Sequence, residues 1–264
     1  MIKAKKKFGQ NFLKDESILQ KIIQAMPKDD NLVIEIGPGL GDLTKRLLHN
    51  CEKVTAFEID LELCKYLKDT FSDEIEQKRL ELVCNDILKQ WGETSLYSKK
   101  YNLIANLPYY IATNLILKAL DDKECQSIIV MVQKEVAVKF SSHVGDKTYS
   151  ALSILADSIS KAELLFDVGA ECFDPPPKVT SAVLKLTKFK NYEDLFEDKK
   201  DLDKFKNFLK AAFSAPRKIL IKNLGQIAKK EELIKEFENL DIPSNFRPHQ
   251  LSSEKYHLLF NKIK

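Results

Sequence analysis

Between Asn31 and about Leu186, short apolar runs at strand spacing alternate with stretches whose apolar residues recur every three or four positions. The β-rich runs fall at 32–36, 54–58, 80–84, 101–105, 128–133, 163–168 and 179–186. Between the earlier ones lie helical patterns, such as Leu61, Cys64, Leu67 and Phe71, or Ala112, Leu115, Ile116, Ala119 and Leu120. This rhythm predicts an α/β fold: a parallel sheet with helices on both faces. A proline-rich loop, not a helix, joins the last two runs, which predicts an antiparallel ending.

Ahead of the first strand, Asp15 is placed to cap a helix carrying Ile18, Leu19, Ile22, Ile23 and Met26. Beyond Leu186 the strand signals stop. A charged stretch, 191–203, leads into helices carrying Phe205, Phe208, Leu209, Ala212 and Phe213, then Leu233, Ile234, Phe237 and Leu240, then Tyr256, Leu259, Phe260 and Ile263. The expected domains are therefore 1–187, an N-terminal arm plus the α/β domain, and 192–264, a small all-α domain.

Composition narrows the class. The chain is 44% hydrophobic and 31% charged, and its longest strongly apolar run, 128–132, is far too short to span a bilayer. The lysine-rich start has no apolar core behind it, so it does not read as a secretory signal; a cytoplasmic address and no membrane partner are expected. Five scattered cysteines form no Cys-x-x-Cys pair, and four histidines show no ligand spacing. Neither a disulfide framework nor a metal site is expected. Residues 185–264 hold 18 lysines and arginines against 12 acids, a net of +6, and the remainder nets −3. With Lys3, Lys5, Lys6 and Lys7, this distribution suits a nucleic-acid phosphate backbone, or a merely solvated surface.

The first strand ends in Glu35-Ile36-Gly37-Pro38-Gly39-Leu40-Gly41-Asp42, and the second ends at Glu58. Glycines at such a junction let backbone approach a ligand, and the acid falls where ribose hydroxyls are held in nucleotide-binding sheets. The spacing G-x-G-x-G differs from that of a dinucleotide site. It suits an adenosine cofactor without pyrophosphate, such as S-adenosylmethionine. Asp86 ends the third strand, as a further cofactor contact or as a helix cap.

The fourth strand ends in Asn106-Leu107-Pro108-Tyr109. Pro108 stiffens the turn and keeps Leu107 extended. Two oxygen acceptors there, the Asn106 side chain and the Leu107 carbonyl, would each take an N–H of an adenine amine. The nitrogen would then pyramidalise toward an electrophilic methyl, with Tyr109 stacked on the base. The bland alternative is a strand-to-helix turn with a capping Asn and packed tyrosines.

At these residues the sequence resembles the ribosomal RNA adenine dimethyltransferase family. The resemblance rests on Phe8-Gly9-Gln10-Asn11-Phe12-Leu13, the glycine turn with Glu58, Asn106-Leu107-Pro108-Tyr109, and Phe173-Asp174-Pro175-Pro176-Pro177-Lys178-Val179-Thr180-Ser181. It implies a Rossmann-like class I S-adenosylmethionine-dependent methyltransferase fold with a C-terminal RNA- or ribosome-binding domain. It also implies cofactor contacts at Asn11, Leu13, Gly37, Gly39, Glu58, Asp86 and Asn106. Phe173 would stack on the target adenine opposite Tyr109, or else lie in the core beneath the proline loop.

The implied activity is N6,N6-dimethylation of two adjacent adenosines in a hairpin near the 3′ end of small-subunit (16S-type) rRNA. The implied partner is an immature small subunit, with the enzyme a monomer. A sister group methylates large-subunit rRNA in antibiotic resistance. The segments 211–218, Asn223-Leu224 and 247–252 favour the small-subunit type, although Pro216 stands where that type usually has arginine. A non-catalytic assembly factor or a small-molecule methyltransferase is the remaining alternative; the intact Asn-Leu-Pro-Tyr turn opposes the first, and the basic helical appendage the second.

Overall fold

The computed structural model describes residues 2–92 and 95–263. Met1, Glu93, Thr94 and Lys264 lie outside the described residues. Among the described residues, nine strands follow one another as β1 (Phe12–Leu13), β2 (Leu32–Ile36), β3 (Val54–Glu58), β4 (Leu80–Cys84), β5 (Tyr101–Asn106), β6 (Cys125–Gln133), β7 (Ser160–Val168), β8 (Phe173–Asp174) and β9 (Ser181–Lys188). The helices are α1 (Glu16–Gln24), α2 (Asp42–Asn50), α3 (Leu61–Thr70), α4 (Ser72–Glu76), α5 (Ile87–Gln90), α6 (Tyr109–Asp121), α7 (Lys134–Ser141), α8 (Ala151–Ile159), α9 (Lys199–Ala212), α10 (Leu220–Leu224), α11 (Lys230–Asn239) and α12 (Ser253–Ile263).

Seven strands form one sheet in the order β4-β3-β2-β5-β6-β9-β7. The pairs from β4 through β6 are parallel, and β9 runs antiparallel to β6 from Ser127↔Thr187 to Gln133↔Ser181. The antiparallel ending expected from the proline loop is present. All five residues of β3 are buried, as are the first five of β5, which is why these runs read as continuously apolar rather than alternating. The strand order reverses between β2 and β5, so a crevice opens beyond their carboxyl ends. Both the glycine turn and the Asn106 turn end there.

Two features escaped the sequence pattern. A two-stranded sheet pairs β1 with β8, Phe12↔Asp174 and Leu13↔Phe173; strands of two residues carry no alternation to detect. Cys64 on α3 and Cys84 at the end of β4 are joined as a disulfide, with their Cα atoms 6.0 Å apart. This corrects the expectation of unpaired cysteines. The succession β3-α3-β4 brings together residues that no local spacing links.

The chain forms two compact units, Met1–Ala137 with Glu163–Phe189, and Val138–Ala162 with Lys190–Lys264. The sequence reading kept all of 1–187 in the first domain, whereas residues 138–162 cluster with the helical unit. Within that unit the Tyr192 hydroxyl donates to the Leu155 carbonyl at 2.8 Å, and the Ser158 hydroxyl lies 2.7 Å from His257 Nε2. The apolar helix α8, which the periodicity did not single out, has α9 and α12 as its partners.

Candidate functional site

A cavity at the carboxyl ends of β2, β3, β4 and β5 is lined by Asn11, Leu13, Gly37, Gly39, Glu58, Asp86 and the turn Asn106-Leu107-Pro108-Tyr109. Five segments separated in sequence therefore meet, and all but one of the expected site residues share this space. The exception is Phe173. Its ring is 5% exposed, does not line the cavity, and packs in a core cluster with Leu13, Ile18 and Val183. Its strand pairing with Leu13 braces the N-terminal segment from behind.

The glycine turn is shaped by its bare α-carbons. Gly39 has φ +60°, and a Cβ there would stand 2.9 Å from the Phe12 ring; at Gly41, with φ +85°, it would meet the Phe71 ring at 2.5 Å. Both positions are strained for any side chain. Opposite the turn, Glu58 accepts the Asp60 N–H at 2.8 Å and the Gly39 N–H at 3.4 Å. Burial pushes its carboxyl above the ordinary range, against those hydrogen bonds. Asp86 caps α5 by accepting the Leu88 N–H at 2.9 Å, and it also lines the cavity.

The N-terminal segment is fastened over this space by directed bonds. The Asn106 side-chain amide donates to the Asn11 carbonyl at 3.0 Å. That bond fixes which way the amide faces, and its oxygen accepts nothing from the described residues. Lys5 Nζ lies 2.7 Å from an Asp60 oxygen and 2.8 Å from a Glu62 oxygen, and the Gln10 amide donates to the other Asp60 oxygen at 3.0 Å. Burial alone would raise the Asp60 carboxyl, but Lys5 and Gln10 together hold it below its ordinary range. Lys5, Gln10 and Asp60 were missed as site residues because a lysine among lysines carries no signal until the fold sets it beside a buried acid.

The Asn106-Leu107-Pro108-Tyr109 turn itself is anchored at both ends. The Leu107 N–H donates to the Met131 carbonyl at 3.1 Å, and Pro108 begins α6 with φ −58° and ψ 125°. The Tyr109 hydroxyl and the buried Ser181 hydroxyl are 2.5 Å apart, which ties the turn to β9. Ser181 was quoted only as part of the proline-loop motif; its link to Tyr109 is a product of the antiparallel β6–β9 register.

One buried acid needs its own account. Glu35, 1% exposed at the end of β2, accepts from the Thr44 hydroxyl at 2.6 Å. Burial pushes its carboxyl up to about 8, and the nearby Glu58 charge adds to the rise while Thr44 opposes it. Four carboxyls, Glu35, Asp42, Glu58 and Asp86, thus border a space floored by bare glycine backbone. That donor set fits a ligand with hydroxyls, an amine and a fixed positive charge, as S-adenosylmethionine has. Among the described residues no group of three or more His, Cys, Asp or Glu is placed to hold a metal ion, and no helix is long and apolar enough to cross a membrane.

Comparison with known proteins agrees with this geometry. The sequence model of the family described as "Ribosomal RNA adenine dimethylase" matches residues 1–264. "Ribosomal RNA small subunit methyltransferase A" of Campylobacter concisus is 54% identical over 268 residues, covering 100% of this chain and 95% of its own. A crystal structure of a dimethyladenosine transferase from Plasmodium falciparum superposes with a TM-score of 0.79 at 29% identity, covering 95% of this chain and 98% of that one. The 23S rRNA methyltransferase ErmE shares the fold, with a TM-score of 0.73 at 22% identity over 96% of this chain and 99% of its own. Matched by the family model over residues 1–264 and by a relative at 54% identity over its full length, the chain belongs to the ribosomal RNA adenine dimethylase family.

Proposed function

We propose that this chain transfers methyl groups from S-adenosylmethionine to the N6 amines of two adjacent adenosines in a hairpin near the 3′ end of small-subunit rRNA. It acts as a monomer on an immature small subunit. The observation that carries this reading is the meeting of the Asn106-Leu107-Pro108-Tyr109 turn with Glu58, Asp86 and the glycine backbone around one cavity.

S-adenosylmethionine supplies an electrophilic methyl on a sulfonium centre. Everything else falls to the protein. Asn11, Leu13, Gly37 and Gly39 contact the cofactor, Glu58 holds the ribose hydroxyls, and Asp86 meets the adenine amine. The Asn106 side-chain oxygen and the Leu107 carbonyl accept the two N–H groups of the target adenine. Accepting both protons draws the nitrogen lone pair out of ring conjugation and aims it. No strong base is needed, because the ammonium product is acidic and loses its proton to solvent. Catalysis is thereby positioning and local electrostatics. Tyr109 stacks on the flipped base. Phe173, buried behind Leu13, acts by bracing that strand rather than as the opposing face of a sandwich.

The small-subunit substrate is favoured over the large-subunit alternative by relatives such as that of Campylobacter concisus, which carries the small-subunit name at 54% identity. Primer extension on rRNA from cells with and without the gene tests the assignment. A dimethylated adenine lacks a pairing edge and stops the polymerase. Paired stops near the 3′ end of small-subunit rRNA that vanish with the gene are expected; unchanged stops there, or stops lost from large-subunit rRNA, would refute it.

A further inference from the structure

The residue after the catalytic turn, Tyr110, plays no part in the chemistry described so far. It lies in the first turn of α6 and lines the same cavity as Asn106 and Tyr109, yet 62% of its surface is open to solvent. Successive helical side chains point about 100° apart, so Tyr109 turns in toward Ser181 while Tyr110 turns out. A single exposed aromatic needs no explanation by itself. This one has a built setting. One edge of its ring rests against Gly9, where a Cβ would stand 3.3 Å from the Tyr110 Cδ1. Gly9 lies in the left-handed region at φ +61°. Phe8, half-buried beside it, lines the same cavity, and Lys7 Nζ sits 4.6 Å from the Phe8 ring centroid. Lys6 and Lys7 are both exposed. The mouth of the cavity thus combines a supported aromatic face with exposed lysines next to it in the chain, the pairing that holds unstacked nucleotides.

A base drawn into the cavity leaves its neighbour without a stacking partner on that side. We propose that Tyr110 supplies the missing partner: it is a stacking platform for the nucleotide adjoining the target adenosine, and so a determinant of RNA recognition. The inference rests on the rRNA reading above and deepens it. In that substrate the neighbour is the second adenosine to be modified, so the platform holds one target while the other reacts. The hydroxyl has no partner among the described residues, so the flat face is the recognising element.

Steady-state kinetics of the full-length protein on small subunits from cells lacking the gene, with S-adenosylmethionine as donor, tests this directly. Tyr110→Ala is expected to raise the KM for the particle roughly tenfold, within the range that one base–aromatic stack contributes. The KM for S-adenosylmethionine should stay within about twofold, since no cofactor contact is lost. Tyr110→Phe and Tyr110→Trp should restore RNA affinity, and Tyr110→Leu, which keeps bulk but has no π face, should behave as the alanine variant does. An unchanged KM for the particle in Tyr110→Ala, or a shift confined to the KM for the donor, would overturn the platform and make the ring a cover for the cofactor. Rescue by Leu would overturn it too. If the native chain itself fails to methylate these particles, the rRNA reading falls first and takes the platform with it.

Discussion

Around the cavity of the sheet unit, each segment is held by one or two directed bonds: Asn106 to the Asn11 carbonyl, Tyr109 to Ser181, and Lys5 and Gln10 to Asp60. The interior of the helical unit is held by rings. Phe205 lies 4.3 Å from the stacked His257 ring, and 5.2 Å from both Phe196 and Phe260, with Tyr256 packed edge-on to Phe208. Burial lowers His257, within this cluster, to about 4 and leaves its imidazole neutral at physiological pH, hydrogen-bonded to the Ser158 hydroxyl. Directed bonds fix angles and cost little stability when removed from a rim. Ring packing fixes volume and stabilises, but tolerates small rotations. The proposed methyl transfer, which depends on the aim of one lone pair, requires the first kind, and a basic helical scaffold requires only the second.

Substitutions in the two regions should therefore give opposite signatures. The largest effect is expected at Phe205, which is 0% exposed: truncation to alanine should destabilise by about 3–5 kcal/mol, seen in urea unfolding. An unfolding midpoint close to native would deny that the ring cluster is the unit's core. Asn106→Ala comes next. Its loss should lower the single-turnover rate on the order of 10²-fold while unfolding changes little. A rate within about threefold of native would remove the amide from the chemistry.

The Tyr109–Ser181 link separates orientation from stacking. Tyr109→Phe and Ser181→Ala should each slow transfer by roughly tenfold or less, and the double variant should be no slower than either alone, because both remove the same bond. Additive losses would show that the two hydroxyls act independently.

The last test concerns pH. The Glu35 carboxyl is raised from 4.5 to about 8, so the folded chain keeps a proton that an unfolded chain releases. The stabilisation is whole below 4.5 and is lost as pH rises through about 8. Glu35→Gln should flatten the fall in stability of the cofactor-free protein between about pH 5 and pH 9. An unaltered slope would assign that fall to other groups.

The two regions also differ in how far sequence could reach them. Asn11 and Leu13 come only from the family resemblance, whereas the parallel sheet, the α1 cap at Asp15, and the cavity-lining positions from Gly37 to Tyr109 follow from periodicity and from motifs at strand ends. These are local signals, and local signals were enough. The Ser181 bond, the Lys5–Asp60 fastening and the Cys64–Cys84 pair depend on register and on neighbours brought from 72, 55 and 20 residues away. Phe173 shows the limit from the other side. Its motif suggested a stacking face, but pairing with Leu13 turns the ring into the core. The reach of α8 into the helical unit was hidden for a related reason: its apolar face fits a sheet's wrapping as well as it fits an aromatic cluster.

The most direct test of the central claim is a crystal structure of the protein with S-adenosylhomocysteine and a short RNA carrying the target adenosine. The account predicts the adenine N6 within about 3 Å of both the Asn106 side-chain oxygen and the Leu107 carbonyl, with the sulfur beyond it on the glycine-turn side. An amine facing away from those two oxygens, or a base held outside the cavity, would contradict it.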